Sequence, residues 1–208
     1  MSAMDGINFD RKESASFAEY WQSLRKDELV PAKSRLDPSQ LKHLLPYIMI
    51  FEKISDTSFL IRLVGTEIVR RRGADITGHK LEAYLNAGEE SPFWKNLMSV
   101  LDCPCGFLTI SIETYTKGTQ SFIELSGFPF ADSEGVPRFI VSLAIESSRS
   151  FNRRNKSLLM SQERTTRQEW KFHQFIDIGA GLPEPIIPTK QGIAPVYQDQ
   201  PKRARTSS

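Results

Sequence analysis

Between Phe107 and Ile145 three segments of strand character follow one another, joined by connections too short for anything but hairpins. Phe107 to Tyr115 alternates, with Leu108, Ile110 and Ile112 on one side. Gln120 to Phe130 puts Phe122, Phe128 and Phe130 on one face, and Pro137 to Ile145 does the same with Phe139, Val141, Leu143 and Ile145. Lys117-Gly118-Thr119 and the polar stretch from Ala131 to Gly135 are turn sequences. Parallel neighbours need a crossover of about a dozen residues or more, so these strands must run antiparallel. Upstream, Tyr47 to Ile54 and Ser58 to Val64 make another hairpin around Ser55-Asp56-Thr57.

Helical patterns occupy the rest. Thr66 to Arg72 allows two turns ended by Gly73, Leu81, Tyr84 and Leu85 suggest another, and Ser91-Pro92 opens a helix with Trp94, Leu97, Met98 and Leu101 on one face. Near the N-terminus, Ser16 and Glu19 have capping-box spacing, and Phe17, Tyr20, Trp21 and Leu24 form one apolar stripe. A second short helix is expected from Asp37-Pro38-Ser39-Gln40 to just before Pro46. The predicted class is α+β: a five-stranded antiparallel sheet with short helices packed on one face, preceded by a flanking helix.

With 208 residues the chain supports one well-buried core. Composition divides it into a loose N-terminus (residues 1–13), a core domain (14–147), a basic helical extension (148–180) and a Pro-rich tail (181–208). The tail holds Pro183, Pro185, Pro188, Pro195 and Pro201, and its composition predicts disorder. Arg149, Arg153, Arg154, Lys156, Arg164, Arg167 and Lys171 alternate with Phe151, Leu158, Trp170, Phe172 and Phe175, as in a basic amphipathic helix that docks on the core or binds a partner. Arg70-Arg71-Arg72 reads as the solvated face of a short helix.

Lys plus Arg (27) nearly balances Asp plus Glu (25), which gives no global pull toward nucleic acid or anionic membrane. No apolar run approaches the roughly 18 residues of a membrane span, and Met1 to Asp10 lacks a signal-peptide pattern. A cytoplasmic location is expected. Cys103 and Cys105 are the two cysteines, too few for a disulfide framework. A zinc site needs about four ligands, and His43, His79 and His173 are distant in sequence from this pair. No nucleophile elbow, phosphate loop or isolated carboxylate pair stands out, so the chain is expected not to be an enzyme and to carry no metal or cofactor.

An ordered set of short motifs remains: Trp21 and Leu24, Pro31, Ser34-Arg35-Leu36-Asp37-Pro38, Leu44-Leu45-Pro46, Arg62-Leu63-Val64-Gly65-Thr66, Gly73 and Asp75-Ile76-Thr77-Gly78. The set and the element order over residues 14–147 resemble the PAS domain family, in particular bacterial proteins built from a single PAS domain. The resemblance implies a sensory or protein-interaction module and leaves the ligand open. Some PAS proteins hold haem through a histidine in the helical half, where His79 lies with no ligand set around it. The flavin-binding cysteine motif of photoreceptor PAS domains is absent.

The expected function is that of a stand-alone sensory or regulatory protein that binds a small molecule or a protein partner and signals through changed contacts. A pocket between sheet and helices would be lined by Arg62, Tyr84, Trp94, Met98 and Ile110. The stripe Phe17, Tyr20, Trp21 and Leu24 is expected to form a homodimer interface, or else to fold back on its own sheet as core. The alternative function is nucleic-acid binding through residues 149–171, which a steep salt dependence would mark.

Overall fold

The computed structural model describes residues 6–85, 90–148 and 165–184. Its elements are α1 (Lys12–Arg25), short 3-10 turns at Lys33–Arg35 and Leu45–Tyr47, β1 (Ile48–Ser55), β2 (Ser58–Val64), α2 (Thr66–Arg72), a 3-10 turn at Leu81–Tyr84, α3 (Pro92–Asp102), β3 (Cys105–Tyr115), β4 (Gln120–Ala131), β5 (Pro137–Glu146) and β6 (Thr165–Asp177). The strands form one sheet in the order β2-β1-β5-β4-β3-β6. Every neighbouring pair is antiparallel.

Alternation along the strands gives the sheet two apolar faces. The inner face carries Met49 and Phe51 of β1, Phe59 and Ile61 of β2, Phe107, Ile123, Leu125, Ile140 and Phe175, covered by Ile68 of α2 and by Phe93, Trp94, Leu97 and Met98 of α3. The outer face carries Ile48, Ile50, Leu108, Phe128, Phe130, Val141, Leu143, Ile145 and Ile176, covered by Phe17, Ala18 and Trp21 of α1 and by Leu41 and Leu44. Thus the short helices sit on one face, as expected, and α1 lies across the other.

Two glycines have work only glycine can do. Gly73 follows α2 at φ 74°, and its N–H donates to the Val69 carbonyl at 2.7 Å, closing the helix. Gly65 enters α2 where a Cβ would stand 2.3 Å from the Pro46 carbonyl oxygen. That neighbour is backbone and cannot swing aside.

Four expectations need correction. The extension over 148–180 is not helical where it is described: Thr165–Asp177 is β6, a sixth strand paired along β3 from Cys105↔Asp177 to Tyr115↔Thr165. Apolar side chains interleaved with charges suit an edge strand as well as a helix, and the edge of β3 supplied the pairing partner. Residues 149–164 of the extension and 185–208 of the tail lie outside the described residues.

The second short helix is absent. Residues 38–44 are successive turns. Asp37 still caps them, its carboxylate accepting from the Ser39 N–H at 2.9 Å and the Gln40 side chain at 3.1 Å. The N-terminus is held from Ile7 onward, not loose. Ile7 and Phe9 pack on the outer cluster, and Asp10 accepts hydrogen bonds from Ser147 Oγ (2.6 Å) and the Ser148 N–H (2.7 Å). α1 therefore starts at Lys12, four residues before the capping box at Ser16. The Asp10 and Arg11 N–H groups at its mouth donate to Glu124 of β4 at 2.6 and 3.3 Å. Burial raises the Glu124 carboxyl above its ordinary range.

Finally, the arginine triplet is not one solvated face. Arg70 is exposed beside Glu67, Arg71 is buried, and Arg72 is half-buried.

Candidate functional site

The interior face of a sheet is normally apolar, so a polar row on it needs a reason. β3 presents such a row toward the helices: Thr109, Ser111 and Glu113 are 1%, 0% and 1% exposed. Each finds a partner on β6 or α2. Thr109 Oγ1 lies 2.6 Å from His173 Nδ1, and Gln168 Nε2 donates to Ser111 Oγ at 3.1 Å. Glu113 accepts from Arg71 Nε at 2.8 Å, from Thr165 Oγ1 at 3.3 Å and from the Tyr115 hydroxyl at 3.4 Å. Burial first, and the neighbouring carboxylate second, raise the Tyr115 phenol above its ordinary range and keep it a donor.

A register shift between Ile110 and Ser111 makes this row possible. There β6 passes from Phe172 to Trp170 and leaves Lys171 unpaired with β3. One extra residue in a strand reverses the parity of the residues beyond it. Gln168 and Trp170 on one side of the bulge, and His173 and Phe175 on the other, thereby all reach the inner face.

Beside the row lies a cavity of about 40 Å³. Its apolar wall comes from Met49, Phe51, Ile68, Ile123, Leu125 and Ala144, and its aromatic side from Tyr84, Phe93 and Trp170. Phe93 and Trp170 stack with ring centres 4.1 Å apart and planes 6° apart. Arg71, Arg72, Glu113 and Gln168 form the polar end. Gln168 Oε1 accepts from Arg72 Nη2 at 3.2 Å. A volume of this size holds about two or three waters, or a small organic molecule.

Of the five pocket residues expected from sequence, Tyr84 lines this cavity. Arg62 does not: it is exposed on β2 in an ion pair with Glu52. Trp94 and Met98 are packed into the inner core, Trp94 edge-on to Phe59 at 6.4 Å. Ile110 is half-buried and shares the strand face of Leu108, which is the outer one. Reading β3 by its apolar residues chose the wrong side of the strand. The usable signal was the polar alternation Thr109, Ser111, Glu113 within a strand whose other neighbours are apolar.

The dimer stripe is likewise placed within the chain. Phe17 and Trp21 are fully buried under α1, and Tyr20 and Leu24 pack partly buried around them. Trp21 stacks on Phe128 at 4.8 Å and donates its indole N–H to the Pro129 carbonyl at 2.9 Å. Of the two readings of the stripe, this is the fold-back onto its own sheet.

The cysteines diverge: Cys103 ends α3 near the Ala180 and Gly181 carbonyls at 3.8 Å, whereas Cys105 is buried on β3 with its thiol pushed up to about 12 by burial. Among the described residues no three metal-ligating side chains converge.

His173 gives the site a pH signature. Its ring lies against Phe107 and Phe175, and burial pushes its pKa down to about 4 from an ordinary 6.5. Between those values the unfolded chain binds the proton and the folded one does not, so stability falls as pH falls through that window. His173→Phe is expected to flatten this limb. Urea midpoints from pH 7 to 4.5 check it: equal losses in both proteins would overturn the assignment.

A small α+β module that encloses a cavity between short helices and an antiparallel sheet is the class these features define. The chain belongs to the PAS domain family, whose profile matches residues 9–144, and such domains generally serve as sensory or signalling modules. The match takes in α1 to β5 and ends before β6. No curated protein matches the chain. Solved structures similar to it include a light-oxygen-voltage domain studied with a flavin analogue (15% identity, 53% of this chain and 84% of that one, TM-score 0.41). The LOV protein of Rhodobacter sphaeroides is also similar (12%, 56% and 72%, TM-score 0.40), as is Vibrio cholera VqmA in a ligand and DNA complex (13%, 53% and 51%, TM-score 0.41). No helix among the described residues is long and apolar enough to cross a membrane.

Proposed function

We propose that this chain is a non-catalytic regulatory module that senses a small molecule held between the sheet and the helices α2 and α3. The observation that carries this is the cavity itself, with an apolar and aromatic wall on one side and a cluster of hydrogen-bonded charged groups at one end. That combination is what a small-ligand site needs: area to bury and a few polar groups to orient. β6 forms part of the wall through Gln168 and Trp170, so a change in the cavity reaches the chain beyond the family domain. Signalling to a protein partner through these flanking segments is the output we favour.

Nucleic-acid binding has less support in the described residues. Over Thr165–Lys171 the chain is strand, and Arg167 and Lys171 both pair with Glu169, at 3.1 and 2.7 Å.

Ala144, 4% exposed on β5, offers the test. Screened against small organic compounds, the wild type is expected to show a rise in Tm with at least one of them. Ala144→Leu, which fills the cavity, should lose that rise while keeping its fold. A wild type whose Tm no compound raises, and which carries no retained molecule in a native mass spectrum, would overturn the reading.

A further inference from the structure

Granting that the cavity is a ligand site, we infer that its ligand is a small carboxylate with a short apolar chain, and that Arg72 reads the carboxylate. The lining residues include two guanidinium groups and one carboxylate. Glu113 neutralises Arg71, both groups buried and 2.8 Å apart, and its remaining bonds come from Thr165 and Tyr115. Arg72 is left over. Among the described residues it forms no ion pair, and its buried Nε has no hydrogen-bond partner. Arg72 lines the cavity, and an anion bound there would compensate its charge. A carboxylate suits the planar guanidinium fork better than any neutral acceptor.

The neighbours hold Arg72 ready. The Gln168 amide is oriented at both ends: its nitrogen donates to Ser111, and its oxygen accepts from Arg72 Nη2. The guanidinium is therefore anchored through Nη2. Gln168 is a positioning residue here, and it lies on β6, outside the stretch the family profile matches. The rest of the cavity suits a short alkyl chain. Met49, Ile68, Ala144 and the Phe93–Trp170 stack present mostly apolar and aromatic surface. At about 40 Å³ the cavity admits only a small ligand, with butyrate as the upper limit.

The test compares butyrate with butyramide and n-butylamine, near-isosteres of different charge, by calorimetry and by the rise in Tm on the full chain. Butyrate is expected to bind at least tenfold more tightly than either. Arg72→Met should cost the butyrate affinity at least tenfold, and Ala144→Leu should abolish it. Butyramide binding as tightly as butyrate would overturn the carboxylate assignment while leaving the cavity as a ligand site. Butyrate binding that survives Ala144→Leu would place the anion elsewhere and also overturn it. If Arg72→Met does not fold, the comparison of probes on the wild type still decides. If none of the three binds, this assignment fails; the wider compound screen then judges the cavity separately.

Discussion

Glu113→Gln is expected to destabilise the fold by about 3–5 kcal/mol, the cost of removing one partner from a buried ion pair. The side chain keeps its size, so packing is not the cause. What is lost is the charge that compensates Arg71, which is 8% exposed. The three donors that converge on the carboxylate, from Arg71, Thr165 and Tyr115, would then face a neutral amide. A domain's whole stability is about 5–15 kcal/mol, so the urea midpoint should fall by a large fraction. The double variant Arg71→Met with Glu113→Leu should recover most of the loss, since apolar replacement of a complete buried pair is often neutral or better. A single variant as stable as the wild type would show that the two charges are not desolvated as the geometry places them. The same pair ties α2 to the first residue of β6, so the single variant should also loosen that strand.

Much of the fold was legible because it is local. Short connections make hairpins, and Gly73, Pro92 and the period-2 runs of β4 and β5 each state their role within a few residues. β6 was not legible for a physical reason. Its bulge at Lys171 breaks the alternation that identifies a strand, and what remains, Trp170, Phe172 and Phe175 among charges, has no single period. The site suffered for the same reason, since Gln168 and Trp170 belong to it. The arginine triplet was unreadable in another way. Three identical neighbours on a seven-residue helix point in three directions, and only the position of Glu113, 42 residues away, decides which one is buried. Tyr84 was found because a helix-side aromatic facing a sheet is a general feature of such cavities. Trp94 and Met98 share that feature and are simply core.

Trp21→Glu is expected to destroy the fold, not to separate two subunits. A stripe of aromatics at helical spacing has the same pattern whether it meets its own sheet or a second copy, so sequence leaves both readings open. In the structure Trp21 is 0% exposed, stacked on Phe128 and hydrogen-bonded to the Pro129 carbonyl. Truncating a buried tryptophan to alanine costs about 3–5 kcal/mol. Glutamate adds a buried carboxylate to the cluster of Phe17, Phe128 and Leu44, and the Arg25 guanidinium, 5.3 Å from the Trp21 ring centroid, offsets only part of that desolvation cost. Together these exceed what a domain of this size can lose and remain folded. The expected result is loss of the near-ultraviolet circular dichroism signal and aggregation on expression. Glu19→Ala, two residues before Trp21 and on the exposed side of α1, should leave stability within about 0.5 kcal/mol. Sedimentation distinguishes the readings directly. If wild type sediments as a dimer and Trp21→Glu as a folded monomer, the stripe is an interface and the packing of α1 on its own sheet is wrong.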